Sequence, residues 1–162
     1  MKLAALFSGG KDSTFAVYDS LRKGHEVTSL ISVVSKNPES YMFHYPNIRY
    51  TQHQAQSMGL NHVFQDTKGE KEKELEDLKK AVSGVKGIEG IIAGGLASKY
   101  QYNRIKGVTD SLGLECVVPY WEIDSEEYWR LILQAGFKVM IVGVACEGLD
   151  KEWLGRVIDG DA

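Results

Sequence analysis

The sequence predicts a doubly wound α/β fold, a parallel sheet of about five or six strands with helices on both faces. Short apolar runs alternate with helical patterns along the 162 residues. Several of these runs are continuously apolar, as strands covered on both faces should be. Gly24, Gly59, Gly113 and Gly136 each stand where a helix C-cap glycine belongs. This rhythm, with no internal repeat, low-complexity tract or linker, argues for one such sheet.

The first strand is read over residues 2–7, where Leu3, Ala4, Ala5, Leu6 and Phe7 follow one another, and a helix over 12–23. A second strand spans 26–34. The connection 35–46 lacks periodicity and carries Pro38, Tyr41, Phe43, His44 and Tyr45, so it reads as an ordered active-site loop. A helix over 48–58 and a strand over 62–66 come next. In the helix over 70–85, Leu75, Leu78, Val82 and Val85 form one apolar stripe, and the charge run 68–80 supplies its solvated face. The remaining elements are a strand over 90–93, a helix over 98–112, a strand over 115–118, a helix over 125–134 and a strand over 138–144.

Composition narrows the function classes. A chain of this length buries one core, roughly 70% of the unfolded surface. The net charge of −3, with no basic cluster on a helix face, gives no footprint for nucleic acid or an anionic membrane. No signal-peptide h-region and no run of membrane-spanning length is present. Cys116 and Cys146 each lie inside a hydrophobic run and outside any CxxC pair, so both read as reduced core residues of a cytoplasmic protein. No residues stand at zinc-ligand spacing, and there is no nucleophile elbow.

The chemistry is concentrated in Ser8-Gly9-Gly10-Lys11-Asp12-Ser13, between the first strand and the first helix. Two glycines permit a tight turn whose successive N–H groups, with the helix N-terminus, make an anion-binding nest. It is not a Walker A loop, which needs glycine where Ala5 stands and Ser or Thr where Asp12 stands. The plainer reading is a strand-to-helix turn, open to solvent, with Asp12 or Ser13 as N-cap. The six residues together favour phosphate. Lys11 supplies a point charge; Asp12 suits either Mg²⁺ or a cap, with nothing to separate the two.

This motif resembles the pyrophosphate loop of the N-type ATP pyrophosphatases. Four later segments resemble the archaeal-type diphthine–ammonia ligase (diphthamide synthase) branch: 41–47 (YMFHYPN), 94–104 (GGLASKYQYNR), 117–121 (VVPYW) and 148–156 (GLDKEWLGR). The resemblance implies an adenine nucleotide alpha-hydrolase-like, Rossmann-like fold. It implies a single ATP pyrophosphatase-like domain over 1–162, lacking the family's C-terminal substrate segment.

The implied activity is ATP-dependent adenylation of the diphthine carboxylate on elongation factor 2, then amidation by ammonia, releasing AMP and pyrophosphate. Lys11, Asp12 and Ser13 would be catalytic. ATP would bind Leu6, Phe7, Ser8, Gly9, Gly10, Ser32, Val33 and Gly94 as well, with adenine between the ends of the first two strands. His44, Asn47, Ser98, Tyr100, Gln101 and Arg104 would face the acyl substrate, Arg104 through its planar fork. ATP and Mg²⁺ are the implied cofactors, with self-association left open. Another N-type ATP pyrophosphatase acting on a small acid or tRNA base, or a nucleotide-binding module without turnover, are the competing readings.

Overall fold

The computed structural model describes residues 1–35, 48–70, 72–95, 99–144 and 149–160. They fall into two compact units, Met1–Trp121 and Glu122–Ala162.

The first unit runs β1 (Lys2–Leu6), α1 (Lys11–Arg22), β2 (Glu26–Ser35), a 3-10 turn (Ile48–Tyr50), α2 (Thr51–Met58), β3 (Asn61–Thr67), α3 (Lys73–Gly84), β4 (Gly90–Ala93), α4 (Lys99–Ser111) and β5 (Glu115–Val117). The strands form one sheet in the order β3-β2-β1-β4-β5, and every neighbouring pair is parallel. Alternate residues of a strand face opposite sides, which explains the continuous apolar runs. Leu3, Ala5, Phe7, Leu30 and Ile92 pack with Ala16 and Val17 of α1 and Ala55 of α2. Ala4, Ile31, Val33, Ile91 and Ala93 pack on the other side with Leu78 and Val82 of α3 and Ile105 and Val108 of α4. Hence α1 and α2 cover one face and α3 and α4 the other. Gly59 ends α2 in the left-handed region at φ 68°, the conformation its C-cap position requires.

In the second unit, α5 (Ser125–Gln134) begins at Asp124, whose carboxylate accepts from Glu126 N and Glu127 N at 3.0 and 3.1 Å. The apolar run 138–144, expected as a sixth strand, contributes only β6 (Val139–Met140). This pairs antiparallel with β7 (Val157–Ile158) in a separate two-stranded sheet. A short apolar run does not encode its partner; here the partner arrives through a turn. The segment Leu149–Arg156 makes that turn: Asp150 caps a 3-10 helix at Lys151–Trp153, and Gly155 N donates to Ile141 O at 2.9 Å. Among the described residues no helix is long and apolar enough to cross a membrane. Cys116 is a free thiol whose pKa burial pushes up, the state of an inert core residue.

Candidate nucleotide site

The strand order reverses at β1, which has β2 on one side and β4 on the other. In such sheets ligands occupy the crevice beyond the C-terminal strand ends at the reversal. Two glycine turns meet there, residues 8–10 after β1 and 94–95 after β4.

The first turn leaves an uncapped helix. Gly9 adopts φ 78°, and Gly10 is the N-cap of α1 in extended backbone with no side-chain cap hydrogen bond. The first intrahelical bond runs from Thr14 N to Gly10 O at 3.1 Å. The first-turn amides therefore face the crevice without a capping oxygen, and the helix dipole adds partial positive charge. Neither Asp12 nor Ser13 is the cap, contrary to the plainer sequence reading; Gly10 already holds the extended cap geometry. Ser13 is 4% exposed, not open to solvent. Its hydroxyl turns under the loop, donating to Gly10 O at 3.2 Å and accepting from Ser8 N at 3.3 Å. The Ser8 hydroxyl lies 3.2 Å from it. Lys11 Nζ lies 2.6 Å from Asp12 Oδ1, so cation and carboxylate stand together at the mouth of the nest.

Both flanks hold this loop closely. From α2, Gln54 Nε2 donates to Gly9 O at 3.1 Å. A Cβ on Gly9 would lie 2.4 Å from Gln54 Oε1 and 3.1 Å from Thr51 Cγ2. Gln54 Oε1 is itself buried with no hydrogen-bond partner. From the other flank, a Cβ on Gly94 would lie 2.4 Å from Asp12 O and 2.9 Å from Ala16 Cβ. Glycine at 94 is thus required for the turn after β4 to touch the start of α1.

On the expected adenine side, Phe7 and Val33 are buried in opposite core layers, and Leu6 packs partly buried beside Val33. Ser32 is wholly buried; its hydroxyl donates to Phe7 O at 2.7 Å and lies 2.9 Å from His62 Nε2. A serine hydroxyl has one proton, so this network assigns the Nε2–H tautomer to His62, which donates to Ser32 Oγ. Burial lowers the His62 pKa, in keeping with a neutral ring. Backbone, not side chains, is what the strand ends offer to a base.

On the opposite flank, Tyr100 and Gln101 lie in the first turn of α4, Tyr100 exposed and Gln101 half-buried. Arg104, one turn on, sets its guanidinium carbon 5.0 Å from the Tyr100 ring centre and its Nη1 3.3 Å from Glu72 Oε1. His44, Asn47 and Ser98 lie outside the described residues. Tyr120 and Trp121 pack against helices: Tyr120 stacks on Phe15 at 5.1 Å and Trp121 on Tyr102 at 4.7 Å. Burial and a hydrogen bond to Asp19 push the Tyr120 phenol pKa above its ordinary value. Among the described residues no three metal-ligating side chains cluster. Among the described residues the carboxylate at the glycine turn is that of Asp12. One carboxylate beside bound phosphate would suit Mg²⁺, which takes one or two carboxylates and fills its shell with phosphate oxygens and water.

Gln54 and His62 show no sign of a role in the sequence. Each acts across the fold, on Gly9 and Ser32, and a polar side chain in an amphipathic element carries no local sign of such a contact.

The comparisons agree with this architecture. Residues 1–116 match the model of the diphthamide synthase N-terminal domain and residues 124–162 that of the diphthamide synthase C-terminal domain. The chain is 29% identical over 181 residues to diphthine–ammonia ligase of Homo sapiens, covering 98% of this chain and 68% of that protein. With the Saccharomyces cerevisiae protein of that name the identity is 27%, covering 96% of this chain but 28% of the relative. A crystal structure described as a predicted subunit of tRNA methyltransferase from Methanocaldococcus jannaschii superposes with a TM-score of 0.50 at 17% identity, covering 81% of this chain and 75% of that one. That likeness concerns the fold alone, the adenine nucleotide alpha-hydrolase-like arrangement expected from the sequence. With both family models matched in order along its length, the chain belongs to the diphthamide synthase family.

Proposed function

We propose that this chain is an ATP-dependent carbon–nitrogen ligase of the diphthine–ammonia ligase type, acting in the cytoplasm on elongation factor 2 that bears diphthine. The observation that carries the reading is the uncapped glycine nest at the strand-order reversal, in a chain of this family.

A diphthine carboxylate oxygen attacks the α-phosphorus of ATP, and the bond from that phosphorus to the β-bridging oxygen breaks. Pyrophosphate leaves with that oxygen's electron pair. Charge grows on the leaving group, so fixed donors there stabilise the transition state more than the ground state. The nest residues Ser8, Gly9, Gly10, Lys11 and Ser13 provide such donors. Asp12 would hold Mg²⁺, which supplies charge neutralisation on the phosphates. Ammonia then attacks the acyl carbon, loses a proton and expels AMP.

Leu6, Phe7, Ser32 and Val33 shape the adenine end through backbone and packing, and Gly94 keeps the second turn against Asp12. His44, Asn47, Ser98, Tyr100, Gln101 and Arg104 are assigned to the acyl side. Glu72, exposed to solvent, is a partner that Arg104 can exchange for a substrate carboxylate. In this reading the ATP pyrophosphatase-like domain spans residues 1–162.

The test supplies ATP, Mg²⁺, ammonium and diphthine-bearing elongation factor 2. Formation of AMP, pyrophosphate and the amide supports the reading. ADP with phosphate refutes it, and nucleotide binding without either product identifies a binding module instead.

A further inference from the structure

One flank of the first unit is unlike the rest of the surface. Residues 50–67, covering α2 and β3, contain a single charged side chain, Asp66, although a quarter of the whole chain is charged. The same flank exposes Tyr50 at 54%, Met58 at 39% and Phe64 at 50%. Depletion of charge together with aromatic and methionine enrichment is the composition of a protein–protein interface.

Among the described residues β3 is also an open edge of the sheet, seven residues long, whereas the opposite edge β5 has three. It carries no lysine or proline, the residues with which natural edges block pairing. Ser32 pairs in register with Phe64. His62, Phe64 and Asp66 therefore share the face that α2 covers, and Tyr50 and Met58 stand at the two ends of α2.

The strand is complementary to itself. An antiparallel pair centred on Phe64 sets Phe64 opposite Phe64 of a second copy and His62 opposite Asp66 of that copy, with Val63 against Gln65. One ring–ring pair thereby falls on the axis, with a His62–Asp66 position on either side of it on the same face, so no like charges oppose each other across a two-fold axis, the commonest symmetry of homo-oligomers. We propose that the α2–β3 flank is a two-fold interface between two copies of this chain, joined by antiparallel β3 pairing into one continuous ten-stranded sheet. Because Gln54 on the inner side of α2 grips Gly9, such an interface would back the helix that holds the nucleotide loop.

Light scattering on the full chain at about 100 μM should give twice the 18.0 kDa mass of one copy. Phe64→Lys sets like charges opposite each other and should give the monomer mass, with far-UV circular dichroism and melting behaviour of a folded chain. Opposed residues of an antiparallel pair have Cα atoms about 4.5–5.5 Å apart, within disulfide reach. Phe64→Cys should therefore cross-link to itself on mild oxidation, well above the parent baseline set by Cys116 and Cys146. Asn61→Cys, opposite Thr67 in this register, should not. A monomeric parent, a Phe64→Lys dimer, or equal cross-linking at 61 and 64 each overturns the proposal. So does a monomeric parent whose binding to elongation factor 2 is lost on Phe64→Lys, which would make the flank a substrate surface.

Discussion

Replacing Gly94 by alanine tests whether the close approach of the two glycine turns matters to the site. The added Cβ would lie 2.4 Å from Asp12 O, where ordinary contact begins at 3.4 Å, so the partners must part by about 1 Å. The obstructing atom is backbone, which no rotamer change relieves, and Ala16 Cβ at 2.9 Å blocks the neighbouring direction. Ala16 is fixed in the core, so the displacement falls on the first turn of α1, where Asp12 and the nest amides sit. Overpacking of this kind costs about 1–3 kcal/mol. For a chain of this size that lowers the melting temperature by roughly 2–12 °C. A misplacement of about 1 Å at a reacting group costs on the order of a hundredfold in rate, so turnover should fall much further than stability. The assays are thermal unfolding and AMP plus pyrophosphate formation from ATP and diphthine-bearing elongation factor 2. A Gly94→Ala protein with the parent's melting temperature and turnover would refute the close-contact argument.

Gln54→Ala removes the clamp on Gly9 O; KM for ATP should rise several-fold, with a stability loss of about 1 kcal/mol measured by urea unfolding. An unchanged KM would show that the clamp is idle. His62 has a folded-state pKa below its ordinary 6.5. The unfolded chain therefore takes up its proton first: stability is full above pH 6.5 and falls as pH drops from there toward the depressed folded value. His62→Gln should flatten that part of the curve relative to the parent; parallel curves would exclude His62. Asp12→Ala and Ser13→Ala should each slow adenylation about a hundredfold, equivalent to ~3 kcal/mol. Parent-like rates of pyrophosphate release in either variant would remove its assigned role. Gly107→Ala, mid-helix in α4 with no atom within 4 Å of the new Cβ, should raise stability by about 0.5–1 kcal/mol; a drop would mean that α4 is misassigned.

The legible features were those written in local pattern. Leu3, Ala4 and Ala5, or Gly90–Ala93, declare buried parallel strands because both faces of the sheet are covered. Gly59 declares a helix end because only glycine takes that backbone conformation cheaply. The turn at Ser8–Gly10 was legible because a strand, two glycines and a helix start occur in succession. What escaped was long-range. The run at 138–144 could not show that its partner would be Val157–Ile158. Asp12 suited a cap or Mg²⁺ equally by its residue type, and only the fold shows that Gly10 takes the cap position and leaves the carboxylate paired with Lys11. Glu74, inside the charge run read as solvated, is 2% exposed, since α3 turns that position inward beside its apolar stripe.

The nest hangs from the central strand of the sheet: Leu3, Ala4 and Ala5 have no exposed surface, and Phe7 N donates to Ile31 O at 2.8 Å. Amides in such a position exchange with solvent only when the whole sheet opens, while two-residue strands like Val139–Met140 exchange through small local fluctuations. Deuterium labelling would thus separate the slow amides of the central strand that leads into the glycine turn from the fast amides of the two-residue strands.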